Sequence, residues 1–95
     1  MKHCFIVKFV EGFDYKKHEK DIKSIFDEAL SIEGIKGYEI KENCTLKENR
    51  SDIAVIFDME DSSALERWAP CKPHMTWKEK YTPYILSKAV FDYED

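Results

Sequence analysis

The chain has 95 residues, enough for one compact domain spanning 1–95 that should bury roughly 65% of its unfolded surface, and too few for a second. Hydrophobic residues make up 43% and charged residues 36%, a balance that fits a globular chain and excludes a disordered one. Nineteen acidic against fifteen basic side chains give a net charge of −4, and the lysines are scattered, which argues against a nucleic-acid partner.

Over residues 3–9 the side chains alternate, with His3, Phe5, Val7 and Phe9 on one face and Cys4, Ile6 and Lys8 on the other, so a first strand is expected. Gly12 turns the chain, and Asp14 is suited to cap a helix. Tyr15, His18, Ile22, Ile25, Phe26, Ala29 and Leu30 then recur at helical spacing, between lysines and acids that belong in solvent. Gly34 and Gly37 are expected to end that helix.

Tyr38 and Ile40 alternate with Glu39 and Lys41, the pattern of an edge strand with one polar face. Residues 45–51 form a polar loop. Ile53, Val55, Phe57 and Met59 share one face while Ala54 and Ile56 occupy the other, so this strand belongs at the centre of a sheet.

Asp61 can cap a short helix that turns Ala64, Leu65 and Trp68 inward, and Pro70 stops it. Pro73 fits the first position of the next helix, along which His74, Trp77, Tyr81, Tyr84 and Ile85 form one stripe. Pro83 should break its last turn. Ala89, Phe91 and Tyr93 alternate with Lys88, Val90 and Asp92 in the final strand.

Strand, helix, strand, strand, helix pair, strand is the order of the α+β ferredoxin-like βαββαβ arrangement. Right-handed crossovers would give a four-stranded antiparallel sheet of order 4-1-3-2 with every helix on one side. Cys4, Ile6, Ala54, Ile56 and Val90 would then lie on an uncovered face. A buried aliphatic side chain is worth roughly 1.5–3 kcal/mol over an exposed one, and no element is left to cover these. A homodimer packed sheet against sheet follows.

Cys4, Cys44 and Cys71 are odd in number and far apart, so reduced thiols are expected rather than a disulfide framework. Lys8 cuts short the apolar run at the N-terminus before a signal-peptide core could form, and no stretch reaches transmembrane length. The expected setting is the cytoplasm, with no membrane association.

The opening Lys2-His3 strand, the run NRSDIAVIFDMEDSSALERW, His74 and the closing Val90-Phe91-Asp92-Tyr93 together resemble the stress-responsive dimeric A/B barrel (Dabb) family across essentially the whole chain. The resemblance implies two ferredoxin-like protomers whose sheets join in a dimeric α/β barrel. Polyketide cyclases of that family carry a Tyr-x-x-His-Pro-x-His pattern, and Trp68 to His74 stands at that place. By this resemblance His74 matches the catalytic histidine and His3 a strand histidine of the same pocket. Trp68 replaces the tyrosine and Cys71 the earlier histidine. An indole N–H donates a hydrogen bond but cannot accept one, so the likeness extends to the histidine-centred pocket and not to the cyclase reaction.

His74 and His3 are thus the candidate catalytic residues, within a pocket formed by Phe5, Val7, Trp68, Trp77 and Tyr81. An imidazole with a pKa near 6.5 can remove a proton from the carbon beside a carbonyl, and Tyr81 or Trp68 could hold the enolate oxygen. The competing structural role for His74 is a helix cap or a core hydrogen bond. Cys71 and His74 make only half a zinc site, since His3 and Cys4 face opposite ways, and no metal or other cofactor is expected. Three functions remain in view. One is a pocket for a small hydrophobic or aromatic carbonyl compound with histidine-assisted proton transfer of the lyase, cyclase-like or isomerase kind, and another is a non-catalytic stress or protein-interaction dimer. The third is a cofactor-free monooxygenase or isomerase of the dimeric α+β barrel type, supported by fold analogy alone.

Overall fold

A computed structural model describes residues 1–42 and 49–94. Cys44 and most of the loop expected over 45–51 lie outside the described residues.

The elements run β1 (Lys2–Phe9), α1 (Tyr15–Ala29), β2 (Ile35–Lys41), β3 (Ile53–Met59), α2 (Ser62–Trp68), α3 (Lys72–Tyr81) and β4 (Ile85–Tyr93), with a 3-10 turn at Thr82–Tyr84. The four strands are antiparallel to their neighbours in the order β2-β3-β1-β4, which is the ferredoxin-like arrangement the element order implied.

Local chemistry sets the helix starts. The Asp14 carboxylate accepts from the Lys16 backbone N–H, and Asp61 accepts likewise from Ser63, each satisfying a donor that the first helical turn leaves open. Pro73 falls on the second residue of α3, after Lys72, where its missing N–H is also harmless. Pro83 cannot continue the α-helical bonding, and the chain tightens there into the 3-10 turn.

The two glycines after α1 do different things from those expected of a pair of helix stops. The helix closes at Ala29, Gly34 turns the chain with φ +91°, and Gly37 lies inside β2 beside an irregularity in its pairing with β3. A glycine inside a strand often marks such a bulge, which helical patterning does not distinguish from a stop.

The core lies between the sheet and the helices. Val7, Val55, Phe57 and Met59 are sealed from solvent under Ile22, Phe26 and Ala29 of α1 and Trp77 of α3. Phe26 meets Phe5, Phe57 and Trp77 with ring centroids 6.0, 5.6 and 5.2 Å away, in tilted and edge-on contacts that suit aromatic quadrupoles.

On the opposite face no element among the described residues covers the sheet. Cross-strand pairing puts Cys4 beside Ile56 and Phe91, and Ile6 beside Ala54 and Ala89. Ile6 is 40% exposed and Phe91 69%. Val90, expected on this bare side, belongs to the other: it pairs with Phe5 and faces the helices. The reason is that β4 carries an apolar residue on each side, Val90 on one and Phe91 on the other, so its register with β1 decides which way each residue faces.

Candidate functional site

Where the N-terminal half of β1 meets the C-terminal half of β4, the junction of α2 and α3 does not close fully on the sheet. The gap is a cavity of about 170 Å3, smaller than the few hundred Å3 usual for drug-sized ligands. His3 and Phe5 form its floor with Val90 beside them. Trp68, His74 and Trp77 form the roof, and Leu65, Ala69 and Lys88 complete the rim.

His74 sits in the first turn of α3, next to the end of α2. Its Nδ1 lies 2.7 Å from the Ala69 carbonyl oxygen. Since a carbonyl only accepts, Nδ1 carries the hydrogen, and Nε2 is the nitrogen with a free lone pair. The ring lies against the indole of Trp68 at a centroid distance of 4.7 Å. Burial lowers its pKa from the ordinary histidine value, and the nearby charges of Lys78 and Lys88 and the His3 ring act in the same direction, with only the bond to Ala69 opposing. Near neutral pH the side chain is therefore an uncharged base.

His3 is 8% exposed. Its Nδ1 donates to the Asp92 carboxylate at 2.5 Å, and its ring packs against Phe5 and Phe57. Both imidazoles thus spend Nδ1 on the protein, which fixes each tautomer. Asp92 is directly across from His3 in the β1–β4 pairing.

Two of the expected pocket residues lie elsewhere. Val7 is fully buried two positions beyond Phe5, beneath the helices. Tyr81 is seven residues past His74, about 10 Å further along the helix axis, and its hydroxyl donates to Asp21 on α1 at 2.5 Å. That partner and burial push the Tyr81 pKa upward, burial being the larger cause. A stripe of helical spacing marks a shared face but not a shared cavity, so Tyr81 is unavailable for an enolate oxygen.

Lys88, Val90 and Asp92 were absent from the expected site because two charges in three alternating positions resemble a solvent face. The signal that would have found them is the pairing of a buried strand histidine with an acid on the neighbouring strand.

Cys71, at the N-cap of α3, has its thiol pKa raised by burial, as does Cys4, where Asp92 adds to the effect. Neither is an activated thiolate. Among the described residues, no group of three or more histidine, cysteine, aspartate and glutamate side chains converges as a metal site. Larger depressions of about 640 and 560 Å3 lie toward the other end of the sheet, around Phe9, Glu42 and Asp52. Their described walls carry no imidazole or thiol, and a third depression of about 400 Å3 carries one imidazole, His18, stacked on Phe13 at 4.8 Å; the smaller cavity is the candidate site because it brings two imidazoles together.

Neither a scan of protein-family models nor a search of curated proteins finds a match. Solved structures do match. A dimeric ferredoxin-like protein of unknown function from Bacteroides fragilis is 20% identical with a TM-score of 0.74, over 99% of this chain and 94% of that one. A Dabb family protein with a ferredoxin-like fold from Mesorhizobium loti is 17% identical with the same TM-score, over 99% and 94% of the two chains. The hydroxynitrile lyase of Passiflora edulis is 10% identical with a TM-score of 0.76, over 97% and 89%. At such identities the likeness shows a shared fold. Among the described residues no helix is long and apolar enough to cross a membrane.

Proposed function

We propose that the chain is a Dabb-type homodimer of the cytoplasm, each protomer binding a small hydrophobic or aromatic carbonyl compound in the His74 cavity. There His74 Nε2 takes a proton from the carbon beside the carbonyl and returns it, as in an isomerase or a lyase. The observation that carries this is the setting of His74: its Nδ1 is tied to the Ala69 carbonyl, its ring lines a cavity walled by Trp68, Trp77 and Phe5, and burial lowers its pKa. Such a base is strong enough to accept a proton and weak enough to give it back. The sheet-to-sheet dimer is supported by the bare apolar face and by neighbours described as dimeric, and free thiols at Cys4 and Cys71 fit a reducing compartment.

Deuterium uptake at the α-carbon of phenylacetone in D2O, followed by NMR, tests the reaction, with cyanohydrin cleavage as a second assay prompted by the hydroxynitrile lyase of like fold. The expected result is uptake that falls by about 100-fold or more in His74→Gln, the usual scale for a lost general base. Uptake no faster than in buffer, with no cyanohydrin cleavage, would overturn the catalytic reading.

One observation favours a second function. The His74–Ala69 bond ties the start of α3 to the end of α2, which is a structural duty. On that reading the protein is a non-catalytic dimer, and His74→Gln would lower stability while no ligand is found for the wild type.

A further inference from the structure

Lys88 is the one fully charged side chain among the described residues that line the His74 cavity. It lies on β4 opposite Val7, on the helix-facing side of the sheet together with Val90, and it is exposed at the rim. Asp92, the nearest acid along the same face of β4, is engaged by His3, and among the described residues Lys88 makes neither an ion pair nor a hydrogen bond. Lys2, Lys16, Lys23, Lys41 and Lys80 each sit within 4 Å of a carboxylate; Lys17, Lys20, Lys36, Lys72 and Lys78 are as free as Lys88 among the described residues, but none of them lines this cavity.

A lone ammonium at the mouth of an apolar hollow attracts an anion more strongly than one in open water, because the low-dielectric walls screen the charge less. The remaining wall is aromatic and aliphatic apart from the two imidazoles, and the bound Nδ1 atoms of both are directed at protein acceptors. From this arrangement we infer that the ligand of the cavity is a small anionic carbonyl compound, an aromatic or branched oxo acid, whose carboxylate is held at the rim by Lys88 while its carbonyl end faces His74. Resting on the function proposed above, this names its substrate class. It also gives Lys88 a part in the chemistry: for an oxo acid with a hydrogen on the carbon beside its carbonyl, a cation at the carboxylate eases the build-up of a second negative charge when that carbon loses its proton to His74.

Benzoylformate and its neutral amide, benzoylformamide, are close in shape and differ in charge. Their binding to the wild type, Lys88→Met and Lys88→Glu is measured by NMR chemical-shift titration at low ionic strength, following the indole signals of Trp68 and Trp77. The acid is expected to bind the wild type roughly tenfold more tightly than the amide, the scale of one charge-assisted contact. Lys88→Met should erase that preference, Lys88→Glu should reverse it, and added salt should weaken it in the wild type only.

The outcomes separate the two levels. If both compounds bind at the tryptophans without preference for the acid, or if Lys88→Met keeps the preference, the carbonyl-binding cavity stands and the anionic class is wrong; Lys88 is then a charge that guards an edge strand. If neither compound shifts the tryptophan signals, both the cavity's function and its anion preference are overturned.

Discussion

Burial and the bond to Ala69 act on His74 in opposite directions, and burial is the larger effect, so its pKa in the folded chain lies below 6.5. The sign of the consequence follows from proton linkage. Below about pH 6.5 the unfolded chain binds a proton at this position that the folded chain does not, so His74 favours folding above that pH and opposes it as the pH falls, until the folded form is also protonated. The difference in urea midpoint between the wild type and His74→Gln should therefore shift against the wild type between about pH 7.5 and pH 5.5. Any deuterium exchange should rise with pH through a midpoint below 6.5, because only the free base works. At this scale the sequence named His74 and His3, since an imidazole in an apolar pattern is conspicuous. It did not name Asp92 or Lys88, whose charges made them look like solvent-facing residues.

Elements with local signals were legible. Asp14 and Asp61 cap the helices they precede because capping needs only a carboxylate and the two residues after it. The facing of β4 was not, because a strand with Val90 on one side and Phe91 on the other has no inner side until it pairs. Gly34 shows how an element boundary can rest on distant contacts. Its φ is +91°, and a Cβ there would lie 2.9 Å from Ala64 Cβ and 2.7 Å from the Arg67 guanidinium of α2. Its carbonyl also accepts from Glu60 N–H at 2.7 Å. Gly34→Ala should cost about 1–3 kcal/mol from the backbone conformation alone, with more from the clash at Ala64. Urea unfolding monitored by far-ultraviolet circular dichroism would measure it, and Gly37→Ala, where a Cβ meets nothing within 4 Å, should cost less.

For the whole molecule, the uncovered sheet face is the feature with the largest consequence. Ile6 stands on a central strand between Ala54 and Ala89, so a partner packed on that face would bury it. A glutamate there enters a two-fold interface twice, and each copy would forfeit roughly 1.5–3 kcal/mol of apolar burial before any charge is desolvated. Sedimentation of the wild type at micromolar concentration should give a dimer of twice 11.3 kDa, and Ile6→Glu should give a monomer that keeps its helical and strand content. A wild type that sediments as a monomer would leave the bare face without its proposed partner.

From the sequence alone came the order of elements, the sheet order, the central place of β3 with its two apolar faces, and the two histidines. All of these depend on periodicity, caps and turns, which act over a few residues. The tertiary structure alone decided that Tyr81 reaches Asp21 and not the cavity, that Val90 lies with Phe5, and that Lys88 and Asp92 stand beside the histidines. Those placements depend on strand register and on where along its axis each helix crosses the sheet. Both are fixed by the packing of residues far apart in the chain, which no local pattern encodes.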